Sequence, residues 1–106
     1  MSQSSQSVRF EDLLVQAIDE GYQKVFDPMT MRAVKFYVDD SLARSNPDLY
    51  SQALGKIFHD GAKHLLSNVI DALCRLVGIE NKGWSSFGEC VKAARKKYHS
   101  TKQTAT

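Results

Sequence analysis

The sequence predicts an all-α fold, a compact bundle of about five helices in a single domain. Three observations carry this reading. Apolar residues recur at steps of three and four through most of the chain, the spacing that gathers them on one side of a helix. No stretch of useful length alternates apolar with polar residues as a half-buried strand does. Cap-then-proline signals, Asp27-Pro28 and Asn46-Pro47, punctuate the pattern where helices begin.

The first helix is expected from about Phe10 to Phe26, with Phe10, Leu13, Leu14, Ala17, Ile18, Tyr22, Val25 and Phe26 on its apolar stripe. Ser7 suits the N-cap, and Glu11 and Asp12 suit the positive end of the helix dipole. Gly21 interrupts the pattern, either to let another helix approach closely or as a local weakening. A second helix opens at Pro28 and runs to about Arg44 on a stripe of Met31, Val34, Val38 and Leu42. Phe36 falls off that stripe, so it is either exposed or packed against a different element. The third helix spans Pro47 to about Phe58, with Leu49, Tyr50, Ala53, Leu54, Ile57 and Phe58 as its apolar set. His59-Asp60-Gly61 reads as a tight turn, with Gly61 supplying either a positive φ or a close passage. The fourth helix, Ala62 to Val77, is the most apolar and the best candidate for the centre of the bundle. Gly78 is its expected closing residue. After a loop from Ile79 to Trp84, Ser86-Phe87-Gly88-Glu89 has a capping-box pattern and starts a fifth helix that reaches about His99. The expected organisation is therefore a flexible N-terminus at 1–8, a helical domain at 9–99 and a disordered tail at 100–106.

A chain of 106 residues, 42% hydrophobic and 25% charged, has ordinary globular usage and length for one core. No apolar stretch approaches the roughly 20 residues that cross a bilayer. The polar opening Met1 to Ser7 lacks the apolar core of a secretory signal or an anchor. Cys74 and Cys90 form no C-x-x-C motif, so two reduced thiols in a soluble cytoplasmic protein are expected.

Candidate chemistry is sparse. His59 and His64 stand five apart, whereas a zinc-binding helix favours four, and no metal site or cofactor is expected. Cys74 and Cys90 lie on apolar stripes and read as core thiols rather than nucleophiles. The adjacent carboxylates Glu11-Asp12, Asp19-Glu20 and Asp39-Asp40 point about 100° apart on a helix and read as solvated faces rather than shared sites. No Gly-rich phosphate loop and no G-x-S-x-G motif is present. No catalytic residue is therefore assigned. Charge is uneven: residues 1–53 hold five basic and eight acidic side chains, and residues 54–106 hold nine and four. Lys92, Arg95, Lys96 and Lys97 concentrate the basic character on the last helix, a candidate surface for nucleic acid or an acidic partner.

The runs Phe10 to Leu14, Ala17 to Gly21 and Ala33 to Asp40 resemble a small archaeal all-helical family. So, most strongly, do Pro47 to Leu54 and Ile57 to Leu65. Over about residues 9–77 the chain resembles the Nitrosopumilus output domain of the fifth type. The resemblance implies an output role in prokaryotic signalling and supplies no active-site residues. The expected function is a non-enzymatic regulatory or protein-interaction module, with Phe36, Tyr37 and Trp84 as anchors, since aromatic residues dominate binding hot spots. The expected partner is a protein, a second copy of the chain among the candidates. The alternative is weak nucleic-acid binding through the basic C-terminal helix. A third reading, a ligand pocket between helices, calls for enclosed polar groups with shifted pKa values.

Overall fold

Asp12 organises the start of the first helix, its carboxylate accepting the Arg9 backbone N–H at 3.2 Å and satisfying a donor left outside the ladder. The computed structural model describes residues 9–81 and 83–104, with side chains through Ser100. Ser7, the expected cap, and the segment 1–8 lie outside the described residues. Helix α1 covers Phe10–Gln23 and buries Phe10, Leu14, Ala17, Ile18 and Tyr22. It stops three residues short of the expected end, and Val25 turns outward while Phe26 packs on Phe58, ring centroids 5.5 Å apart.

The expected second helix is two helices. α2 covers Pro28–Tyr37 and α3 covers Asp40–Ser45. Between them Val38 is extended, at φ −129° and ψ 94°. The Asp39 carboxylate accepts the Ser41 N–H at 2.8 Å, so a side chain competes with the helical ladder and caps a new helix instead. The break has a packing consequence: Val38 and Ala43 are both buried, while Phe36 and Tyr37 are left outside. Asp27 caps α2 by accepting the Thr30 N–H at 2.7 Å, and Pro28 follows at the first helical position as the sequence predicts.

α4 covers Pro47–Phe58, capped by Asn46 through the Leu49 N–H at 3.2 Å. Only Tyr50 and Leu54 are fully buried on it; Leu49 and Ile57, expected inside, are substantially exposed. The turn after α4 puts its positive φ on His59, at 54°, rather than on Gly61, which opens α5 (Gly61–Val77). His59, with ψ −122°, takes the dihedrals of the first central position of a type II′ turn, a place that favours glycine. Gly78, at φ 85°, closes α5, with both its own N–H and that of Ile79 donating to the Cys74 carbonyl.

α5 is the central helix, as its sequence predicts, and its main partner is α1. A Cβ on Gly21 would stand 2.8 Å from the Val69 backbone nitrogen, so the two helices meet backbone to backbone and only glycine fits. α6 covers Phe87–Thr104, with the Ser86 hydroxyl accepting the Glu89 N–H at 3.1 Å. Glu89 does not return to Ser86 as a full capping box requires; it accepts from Ser85 instead. The helix also passes the expected boundary at His99 and continues through Thr104, because no glycine or proline stops it and each added residue contributes another ladder bond. The tail expected to be disordered is therefore helical from Ser100 to Thr104, and residues 105–106 lie outside the described residues. The described residues form six helices and no strand, an all-α bundle around one core to which α1, α4, α5 and α6 contribute most. None of these helices is long and apolar enough to cross a membrane.

Candidate functional site

α2 differs from the other helices in what it hides. Val34 is the only residue it buries fully, with Met31 partly covered on the same inner side. Its outer side carries Met29, Ala33, Phe36 and Tyr37, spaced by four, three and one, which is helical spacing for a single apolar stripe. Met29 is 77% exposed, Phe36 84% and Tyr37 76%. The two rings lie edge to face with centroids 5.5 Å apart, a contact that keeps both on the surface as one aromatic unit. Val25, just before the helix, is also exposed but lines a separate groove with Phe26, Phe58 and Leu65.

Beside this stripe runs a groove of about 510 Å³, lined by Gln23, Phe26, Pro28, Met31, Arg32 and Lys35. Phe26, Pro28 and Met31 give it apolar walls, and Arg32 and Lys35 add cationic ones along α2. Lys35 is not free: its ammonium bonds to Asp19 of α1 and to Asp40 of α3, the latter at 3.0 Å. Burial alone would lower the Lys35 pKa, but the two carboxylates carry it above the ordinary lysine value. Burial pushes the Asp40 carboxyl up, opposed by Lys35. The Lys35 side chain thus ties α2 to both neighbouring elements, in place of the apolar packing that α2 lacks.

The reading of Asp19-Glu20 and Asp39-Asp40 as solvated pairs is corrected for the part-buried Asp19 and Asp40, while Asp39 is exposed as expected. Asp19 and Asp40 converge on Lys35, Glu20 bonds to Arg75 of α5, and Asp39 is a cap. Each residue of a pair serves a different partner, as side chains 100° apart must. Deeper in, the Tyr22 and Tyr50 hydroxyls bond to each other. Burial raises the Tyr22 pKa to about 12 and pushes Tyr50 up still further.

Phe36 and Tyr37 are thus brought together on the surface, and Trp84 is not part of their patch. Trp84 sits on the α5–α6 connection, half-buried against the core, and lines a separate groove with Leu66, Ile70 and Phe87. On α6, Lys92, Lys96 and Lys97 are exposed, whereas the Arg95 guanidinium lies 5.1 Å above the Phe10 ring and is half-buried. Lys92 and Arg95 share a groove with Asp48 and Glu89, so the surface there is mixed in charge rather than uniformly basic. Cys74 and Cys90 are buried free thiols with sulfurs 3.9 Å apart. Burial raises the Cys90 pKa and keeps it a thiol, a poor nucleophile. Among the described residues no group of three or more His, Cys, Asp and Glu side chains is placed to hold a metal ion.

Sequence reading missed the Lys35 cluster because its members come from three helices. Asp39, a residue type that can cap a new helix, was the one local hint of a break, and the stripe running past it masked that hint. Comparison with family models, with curated proteins and with solved structures finds no match to this chain.

Proposed function

We propose that the protein is a non-enzymatic interaction module that docks a partner protein on the outer face of α2. The observation that carries this reading is the exposed stripe of Met29, Ala33, Phe36 and Tyr37 on a helix that buries only one residue fully. Exposed aromatics this large are costly to hydrate and supply most of the energy of protein interfaces when covered. The contiguous area, on the order of 500 Å², is as large as the largest patches on ordinary monomers. The resemblance to the output domain gives such a face a role in passing a signal on. A photo-crosslinking amino acid at position 36 of the full chain, expressed in its native cell, tests the reading. The expected result is a discrete crosslinked protein product from position 36 and none from exposed Lys56 on α4. Equal, diffuse labelling from both positions would overturn it.

A weaker second reading rests on the exposed Lys92, Lys96 and Lys97 of α6 as a phosphate-binding surface. It predicts binding to generic duplex DNA at about 50 mM salt that disappears by about 200 mM and in Lys92→Ala/Lys96→Ala. Asp48 and Glu89 beside these cations oppose it.

A further inference from the structure

We propose that Cys74 and Cys90 are an oxidation site: they form a disulfide within one chain that staples α5 to α6, with a small diffusible disulfide of the oxidised-glutathione class as the oxidant. No residue of the α2 docking face takes part, so this site stands or falls independently of that reading.

The two thiols are already side by side. Their sulfurs lie 3.9 Å apart although 16 positions separate the residues in sequence. Both are free and buried. A disulfide bond is about 2.05 Å long, so closing it asks each sulfur to move by about 1 Å, the scale of side-chain rotation rather than of helix displacement.

The surroundings favour this product over the other uses of a thiol pair. Among the described residues no third His, Cys, Asp or Glu side chain joins the two sulfurs to complete a metal site. A cation held by two thiolates would also leave charge in an apolar interior, whereas a disulfide is neutral. Burial, and then the neighbouring Cys74, push the Cys90 pKa up, which suits Cys90 to the second, bond-closing step rather than to the first attack.

Access follows from where the cysteines sit in their helices. Cys74 is in the last turn of α5 and Cys90 in the first turn of α6. The connection between the two helices is mostly exposed. Helix ends open at lower cost than helix centres, so fraying there uncovers the sulfurs without global unfolding. The Cys74 thiolate attacks one sulfur of the oxidant, forming a mixed disulfide and releasing one small thiolate. The Cys90 sulfur then attacks the Cys74 sulfur and displaces the second. Two protein thiols give up two electrons and two protons, and one small disulfide becomes two small thiols. The bond ties the end of α5 to the start of α6 and constrains the connection that carries Trp84. By linkage, the factor by which the fold favours the bond is the factor by which the bond favours the fold.

The full chain, equilibrated in glutathione buffers of stepped oxidised-to-reduced ratio, tests the proposal. The incubations are run with and without urea above the unfolding transition, quenched in acid and mapped by mass spectrometry. The expected product is a Cys74–Cys90 link inside one chain, with an oxidation constant about 100-fold larger in the folded chain than in the unfolded one, the gain for a loop of this size. Urea denaturation of the oxidised chain is expected to show the matching gain in stability over the reduced chain. Cys90→Ala, checked for folding by circular dichroism, is expected to stop at the glutathione adduct of Cys74. If that variant does not fold, the folded and unfolded wild type still decide. Three results overturn the proposal: a folded chain that gives only glutathione adducts or links between chains, an oxidation constant no larger folded than unfolded, or an oxidised chain less stable than the reduced one.

Discussion

Gly21 and the Tyr22–Tyr50 pair show how single residues set the spacing and the polarity of this core. At Gly21 a methyl group would push into the backbone of Val69, and neither helix can yield without separating along its length. Gly21→Ala is therefore expected to cost about 2–3 kcal/mol in overpacking against a gain of about 1 kcal/mol in helix propensity. The net loss of about 1–2 kcal/mol is measurable by urea denaturation. The sequence left Gly21 open between a close approach and a weak point, and the contact with Val69 decides for the approach. The tyrosine pair obeys a different rule. Each hydroxyl is buried and has the other as its partner. Tyr22→Phe or Tyr50→Phe alone is expected to cost about 1–2 kcal/mol by stranding the remaining hydroxyl, and the double variant to recover most of that loss. Additive losses in the double-mutant cycle would show that the two hydroxyls do not depend on each other.

At the scale of elements, α2 is held by charge where α1, α4, α5 and α6 are held by apolar packing. Lys35 bridges Asp19 and Asp40, and its replacement leaves two half-buried carboxylates facing each other. Lys35→Met is expected to raise amide exchange in α2 about tenfold with little change in α5, read by hydrogen-exchange mass spectrometry. Uniform acceleration across both helices would mean that α2 is part of the global unit. The division of the expected second helix into α2 and α3 belongs to the same scale. The stripe Met31, Val34, Val38, Leu42 is consistent with one continuous helix, and periodicity registers no kink that preserves the inward direction of Val38. The Asp39 cap was legible as a residue type but not as a break, since aspartate also sits on helix surfaces.

For the whole molecule, buried titratable groups connect the core to pH. Tyr22 has a folded pKa of about 12 against an ordinary 10.0, so the folded state holds its proton more tightly than the unfolded chain does. Its contribution is complete below pH 10 and is lost as pH rises toward 12, with Tyr50 acting in the same direction. For Tyr22 alone this amounts to a loss on the order of 2–3 kcal/mol over that window, and Tyr50 adds to it, which urea titrations can follow. Tyr22→Phe/Tyr50→Phe should remove the tyrosine part of the loss and leave the part carried by Cys90 and Lys35, whose pKa values are also raised; an unchanged slope would argue against tyrosine burial as the cause.

The amino-acid pattern specified the helices and much of the buried set because both depend on local quantities: spacing, caps and the placement of proline and glycine. Asp27-Pro28, Asn46-Pro47, Gly78 and the stripe of α5 were readable for that reason. Which aromatic stays outside is a different kind of fact. Phe36, Tyr37 and Trp84 are equivalent as residue types, and only the packing of neighbours separates two exposed rings from one half-buried indole. The same holds for Lys35 with Asp19 and Asp40, and for the two thiols. Their proximity is created when distant helices are brought together, and no interval along the chain encodes that distance.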